Sequence, residues 1–184
     1  ASFKNFTAVY PSSKNESNFL DIRPELEAFF PGLHASHSLS IGAALGISTN
    51  RFLASNYYQG GGPSPLSPSV FVVRGYPTDA LFGQRIATAN LAYTLPLAQI
   101  YRGLGTNPFF LQNIGLRLAA DAGSANYLAV YSEKIFRYYE SGQLGRRVLT
   151  GFGAELLAKG SIFYHVPVTV IAGLHYGTKA RYGG

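Results

Sequence analysis

The stretch that decides the fold is residues 86–97, IATANLAYTLPL, in which apolar residues alternate with small or polar ones. One set is Ala87, Ala89, Leu91, Tyr93, Leu95 and Leu97, and the other is Ile86, Thr88, Asn90, Ala92 and Thr94. Successive side chains of a strand point to opposite faces, whereas a helix repeats every ~3.6 residues. The period of two therefore predicts a β-strand with one apolar face.

The same alternation recurs in four other stretches, SLSIGAALGIS (38–48), NIGLRLAAD (113–121), RVLTGFGAELL (147–157) and PVTVIAGLHYG (167–177). Taken together, the second faces carry mainly Gly, Ala, Ser and Asn with isolated Arg, Asp, Glu and His. A soluble sandwich would place Lys, Glu and Thr on a face that meets water. Small and polar residues are instead typical of the interior of a barrel whose outer face meets lipid. The predicted fold is all-β, an antiparallel transmembrane β-barrel with about eight strands in this chain. Whether these strands are the whole barrel or one part of a larger barrel stays open.

Composition agrees with a membrane barrel. Only 13% of the 184 residues are charged, against about 25% in soluble domains. No apolar run approaches the roughly 18 residues of a membrane-spanning helix. Tyr and Phe number 13 each, which suits aromatic girdles, although Trp is absent. The residues predicted to face lipid are Leu91, Leu95, Leu116, Leu118, Val168, Val170 and Leu174. The alternative is a water-soluble β-rich domain, such as a lipid-binding barrel.

Several classes of function lack their usual signals. There is no cysteine, hence no thiolate metal site. Basic residues are scattered despite the net charge of +6, so nucleic-acid binding is not expected. Neither a G-x-S-x-G nor an H-E-x-x-H motif occurs, and His34 and His37 have no nearby carboxylate or cysteine to complete a metal site. The sequence predicts no catalysis, no metal and no cofactor.

The connections are predicted to be unequal in length. Short turns are expected near 98–109 and 158–162, and long polar stretches at 11–36, 59–83 and 123–145. Within the first long stretch, LDIRPELEAFFPG (20–32) is compatible with a short helix or an amphipathic turn. Transmembrane barrels have short turns at one end and long loops at the other.

One long connection contains FVVRGYPTDALFGQR, residues 71–85. Its VRGY motif, Val73–Tyr76, precedes AYTLPL, Ala92–Leu97, and then DAG, Asp121–Gly123. This order resembles the C-terminal barrel of the BamA-type superfamily of outer-membrane assembly factors and two-partner-secretion transporters, also called bacterial surface antigens. The resemblance covers about residues 50–178. It implies that the 59–83 loop folds back into the barrel lumen with VRGY at its tip.

Two features depart from the family pattern. Ala92 stands where the family often has an acidic residue, and TKARYGG (178–184) has no closing strand with a terminal aromatic residue. A truncated chain, a fragment of a longer protein and closure by another route all stay open. The chain is interpreted as one barrel domain over 1–184, without the family's periplasmic POTRA domains.

Burial of a guanidinium inside a barrel requires acceptor or anionic partners. We therefore expect Arg74 to pair with Asp121, with Glu155 as the second choice. Gly75 is expected to let the backbone approach the wall, and Tyr76 to stack and hydrogen-bond there. Val73 and Gly123 complete the predicted loop-to-wall motif.

The resemblance implies an outer-membrane protein that inserts or exports β-rich polypeptides. Its expected partners are outer-membrane lipid and unfolded outer-membrane or secreted polypeptides. The alternative is a barrel without assembly activity that serves as a pore or as a membrane anchor for a partner domain.

Overall fold

The computed structural model describes residues 2–10, 19–48, 57–63, 70–103, 108–131, 138–163 and 165–183. Its strands are β1 (Ser2–Tyr10), β2 (Phe19–Pro31), β3 (Ser38–Ser48), β4 (Tyr58–Gly60), β5 (Val70–Phe71), β6 (Leu81–Gly103), β7 (Phe109–Val130), β8 (Tyr138–Ser141), β9 (Leu149–Ile162) and β10 (Val166–Gly177). A short 3₁₀ helix follows at Ala180–Tyr182. Over these residues, no helix has the length and apolar character needed to cross a bilayer.

All ten strands belong to one sheet, whose main path is β1-β2-β3-β6-β7-β9-β10. Every neighbouring pair on this path is antiparallel. The short strands β4, β5 and β8 extend its margin, β4 beside β6 and β8 beside β7. The predicted antiparallel all-β fold is confirmed, with seven path strands and three short ones where about eight were expected. The sheet is open, and β1 and β10 are its two edges.

The connections differ in length at the two ends of the sheet. One end has the long segments 49–80, between β3 and β6, and 131–148, between β7 and β9. The other has the short segments 32–37, 104–108 and 163–165. The predicted asymmetry is therefore present. Several boundaries were wrong. Strand β9 continues through the expected turn at 158–162, β6 continues to Gly103 within the expected turn at 98–109, and β7 continues to Val130.

Residues 20–32 do not form the helix or turn that the sequence allowed. Residues 20–31 belong to β2, which pairs with β1 on one side and β3 on the other, and Gly32 follows the strand. Pro24 lacks a donor and the segment has helix-forming Leu and Glu, so local preference did not indicate a strand. Pairing on both sides overrides that preference, because strand stability comes mainly from cross-strand neighbours.

The register separates the two faces of the sheet that the alternation predicted. Leu91 lies opposite Ala120, and Ala120 opposite Phe152. Likewise Tyr93, Leu118, Ala154 and Leu174 form one row across β6, β7, β9 and β10. All seven side chains predicted to face lipid lie on this side, called here the outer face. Leu118 is 46% exposed and Leu174 86% exposed.

The opposite side, called here the inner face, carries the described parts of the segment from β4 to the start of β6, residues 58–63 and 70–81. The largest fully buried side chains are Phe71, Val73, Leu81, Ile86, Leu128 and Leu149. The core therefore lies between this segment and the sheet rather than between two sheets. Because residues of both β2 and β10 line one cleft, the sheet curves around the inner face.

Candidate functional site

The VRGY motif lies against the inner face, as the loop-to-wall prediction requires. Val73 is completely buried and forms an antiparallel bridge with Gly62. A Cβ atom on Gly123 of β7 would come within 2.5 Å of the Val73 side chain. Gly123 therefore provides the space that Val73 occupies.

Arg74 makes the predicted contact with Asp121. The Arg74 main-chain N–H donates to Asp121 Oδ2 over 3.0 Å, and Nη1 donates to Oδ1 over 2.9 Å and to Oδ2 over 3.1 Å. The Asp121 side chain is 0% exposed. Asn90 Nδ2 donates to the same carboxylate over 2.7 Å and also to the Val72 carbonyl over 3.2 Å. A completely buried carboxylate is thus satisfied by donors from the loop and from β6.

Glu155, the predicted second choice, is also a partner of Arg74. Arg74 Nε lies 3.0 Å from Glu155 Oε1, as an ion pair without the alignment of a hydrogen bond. Arg117, directly opposite Glu155 across β7 and β9, donates through Nε to Oε2. His175 Nε2 of β10 lies 3.3 Å from Oε1. One carboxylate, whose side chain is 3% exposed, therefore connects the loop with β7, β9 and β10.

These side chains form what we call the charge cluster: Arg74, Asn90, Arg117, Asp121, Glu155 and His175. Its two guanidinium groups and two carboxylates balance, leaving His175 aside. The balance is required because an unpaired buried charge destabilises a fold strongly. The arrangement holds the loop against the sheet.

Glycine permits the close approach of the loop to β10. Gly75 has φ +87°, a conformation that favours glycine. A Cβ atom there would lie 2.6 Å from both the Gly177 nitrogen and the Tyr176 carbonyl carbon. The predicted reason for Gly75, close backbone contact with the wall, is therefore present.

Tyr76 anchors the end of the motif. Its hydroxyl donates to the Thr150 carbonyl over 3.0 Å and accepts from the Lys179 N–H over 3.1 Å. Its ring is buried in the core beneath the loop. Tyr76 thus joins the loop to the start of β9 and to the segment that follows β10.

A second set of contacts holds the same segment from the opposite side of the cleft. The Tyr58 hydroxyl donates to Asp21 of β2. The Arg23 guanidinium lies over the Phe71 ring, 4.4 Å from its centroid, a favourable cation–π geometry. The segment therefore spans the inner face from β2 to β10.

Beside the segment lies a cleft of about 880 Å³. Its charged and polar lining includes Arg23, Glu25, Glu27, Asn90, Arg117 and His175. No group of three or more His, Asp or Glu side chains in the described ranges could hold a metal ion. Of the histidines considered for a metal, His37 instead has Nδ1 2.8 Å from the Tyr93 hydroxyl.

The structure brings all seven predicted motif residues, Val73, Arg74, Gly75, Tyr76, Asp121, Gly123 and Glu155, to the inner face. Sequence reasoning missed Asn90 as a partner of Asp121. Its signal was a single amide among small residues on the inner face of residues 86–97. It also missed Asp21 and Arg23, because their segment was not expected to be a strand.

Comparison of the chain with models of protein families, with characterised proteins and with solved structures finds no match.

Proposed function

We propose that the chain forms the wall of an outer-membrane β-barrel of the protein assembly or translocation type, which inserts or exports β-rich polypeptides. The observation that carries the proposal is the pairing of two features on one sheet. An apolar outer face stands back to back with an inner face on which a buried charge cluster holds the VRGY loop.

The outer face supports a lipid environment. Its exposed large side chains include Ile41, Leu91, Leu118, Phe152, Leu156, Val170, Leu174 and Tyr176. They are adjacent across neighbouring strands, so they form a continuous surface and not isolated exposures. A contiguous apolar surface of this kind marks contact with a membrane or another protein. The charged side chains in the middle of these strands, Arg117, Asp121 and Glu155, lie on the inner face, which is the arrangement of a membrane barrel.

Aromatic residues near both ends of the sheet add to this support. At the end with the long connections, Phe82 stacks between Tyr57 and Tyr139, with ring centroids 5.0 and 4.9 Å away. At the other end, Tyr101 and Phe163 are both exposed. Aromatic rings are favoured at the two levels where a bilayer meets water.

The contacts between the VRGY loop and the inner face support the assembly or translocation type over other barrels. The motifs whose order resembles the BamA-type superfamily are also the motifs whose residues contact one another. Arg74 of VRGY and Asp121 of DAG are partners, and Gly123 of DAG accommodates Val73 of VRGY. Two motifs distant in sequence therefore act together to hold the loop against the sheet.

The test is an insertion assay with vesicles that contain the refolded chain. An unfolded outer-membrane barrel protein is added, and its rate of folding is compared with the rate in empty vesicles. We expect faster folding with the wild-type chain and a smaller acceleration with Arg74→Lys, which keeps the charge but loses the guanidinium geometry. Exposed Arg85, changed to Lys, is the matched control. Equal rates in empty and chain-containing vesicles would contradict the assembly function.

The cleft favours a second candidate, a pore or membrane anchor without assembly activity. Its volume of about 880 Å³ and its charged lining are compatible with a water-filled path. Conductance in planar bilayers without accelerated insertion would favour this candidate.

A further inference from the structure

Positive charge is concentrated at the end of the sheet that has the long connections. The connection 131–148 and the residues 178–184 that follow β10 both lie at this end. Together they contain six basic and two acidic residues: Lys134, Arg137, Arg146, Arg147, Lys179 and Arg181 against Glu133 and Glu140. The connections at the opposite end, 32–37, 104–108 and 163–165, contain no Lys, Arg, Asp or Glu. The order of the strands therefore gathers at one end most of the excess positive charge of the chain.

The segment after β10 folds onto the start of β9 and brings cations of both segments together. Lys179 Nζ donates to the Val148 carbonyl over 2.7 Å, and Val148 directly follows Arg147 in the chain. Arg181 Nη2 lies 3.5 Å from Glu140 Oε2, and the same carboxylate pairs with Arg147. One carboxylate thus serves two guanidinium groups, with an ammonium group nearby. Positive charge exceeds negative charge in this area, so an anion would be attracted to it.

We call this area the basic patch: Arg146, Arg147, Lys179 and Arg181. The outer face of β9 and β10 becomes steadily more polar toward it. Leu174 is 86% exposed, and Phe152 and Tyr176, opposite each other one step nearer the patch, are also exposed. One step further come Thr150 and Thr178, whose hydroxyl oxygens are 2.8 Å apart. A membrane lipid has the same sequence of groups, from acyl chains through the polar interface to a charged headgroup.

We infer that the basic patch binds the phosphate of an anionic membrane lipid, whose acyl chains lie along the apolar row below the patch. Arg146, Lys179 and Arg181 are exposed and supply the donors. Arginine contacts phosphate oxygens in pairs, and lysine acts as a point charge. A lipid is favoured over a free anion because only a lipid contacts both the cations and the apolar row. The inference rests on the proposed barrel and adds a lipid partner to it.

The absence of Trp from the chain allows a direct test. Tyr176→Trp places a single fluorescent reporter on the outer face beneath the basic patch. This variant is refolded into vesicles of phosphatidylcholine with a minor share of phosphatidylglycerol, and one of the two lipids carries bromine on its acyl chains, which quenches a nearby Trp. We expect brominated phosphatidylglycerol to quench severalfold more than its share of the membrane predicts. High salt should reduce this preference, because it screens exposed charges.

Charge-removing variants of the reporter chain test the assignment of the patch. Lys179→Gln with Arg181→Gln should reduce the preference to that of random mixing. Arg146→Gln with Lys179→Gln should do the same while keeping the ion pairs that attach β8, so a loss cannot be explained by detachment of that strand. The matched control is Arg102→Gln with Lys159→Gln, which also removes two exposed cations but near the short connections. It should keep the preference.

The outcomes separate the lipid site from its alternatives. Equal quenching by the two brominated lipids would overturn the inference, as would a preference that survives in both patch variants or that the control loses to the same extent. Loss of the preference on addition of inorganic phosphate, at a concentration matching the lipid phosphate, would assign the patch to a free anion instead. Failure of the chain to enter vesicles would overturn the barrel and the lipid site together, whereas insertion without a lipid preference would overturn only the lipid site.

Discussion

Arg74 and Asp121 are 47 positions apart in the chain, yet the Arg74 main-chain N–H and its guanidinium both donate to the Asp121 carboxylate, over 3.0 and 2.9 Å. Asp121 is completely buried, and Asn90 donates to the same carboxylate. A carboxylate with these donors fixes both the side chain and the backbone of the loop. The pair is therefore the point at which the VRGY motif is fastened to the sheet.

The strength of this fastening can be measured by a double-mutant cycle. Arg74→Ala and Asp121→Ala are each expected to lower the free energy of unfolding by about 3–5 kcal/mol, because each leaves a buried charge without its partner. The double variant should cost less than the sum. Arg85→Ala, an exposed arginine on β6, is the control and should change stability by less than about 0.5 kcal/mol. Additive effects in denaturant titrations would mean that Arg74 and Asp121 are not energetically coupled.

Two glycines with similar backbone angles separate conformational strain from steric contact. Gly75 has φ +87° and Gly145 has φ +81°, so alanine at either position costs about 1–2 kcal/mol for the left-handed conformation. Only at Gly75 would the new Cβ meet backbone atoms, those of Tyr176 and Gly177, while nothing lies within 4 Å at Gly145. Gly75→Ala should therefore lower the thermal midpoint clearly more than Gly145→Ala. Similar midpoints would show that the loop does not need this close approach.

The outer face makes a prediction that depends on lipid. Leu118→Arg should reduce the free energy of folding into vesicles by about 2–4 kcal/mol if the residue lies near the bilayer midplane. Leu144→Arg, in the connection 131–148, is the matched control and should have little effect. Folding titrations in vesicles provide the measurement. Equal tolerance of the two variants, or a wild-type chain that is monomeric in water without detergent, would argue against a membrane wall.

The attachment of β8 should depend on pH. A hydrogen bond from Arg147, with the nearby charges of Arg147 and Arg181, holds the pKa of Glu140 below its ordinary value of 4.5. A carboxylate with a lowered folded-state pKa stabilises the fold above its ordinary pKa, and the contribution is lost as the pH falls through the lowered value. Glu140→Gln should therefore lower the thermal midpoint at neutral pH, and the difference from wild type should shrink below pH 4.5. Glu27→Gln, at an exposed carboxylate, is the control. A difference that stays constant from neutral to acid pH would contradict the assigned ion pair.

The strands with strong alternation and the division of the sheet into two faces could be predicted because strand parity is local. Leu91 and Leu95 share a face whatever β6 pairs with, since side chains alternate along any strand. Arg74 and Asp121 could be proposed as partners because both carry charge, and the resemblance gave their motifs an order. The identity of β2 was missed because its local residues favour other structures, and only pairing with β1 and β3 makes it a strand.

The sequence by itself determined that this chain is all-β and that its strands have one apolar face and one small or polar face. It also indicated that the VRGY motif would pack against the sheet. The tertiary structure decided what depends on register and order of strands: Asn90 reaching Asp121, Glu155 joining Arg74, Arg117 and His175, and Phe71 lying under Arg23. It also decided that seven strands form the path and that β1 and β10 are edges running in the same direction. These relationships join residues tens of positions apart, and the hydrogen bonds that set register become favourable only once several strands are already in place.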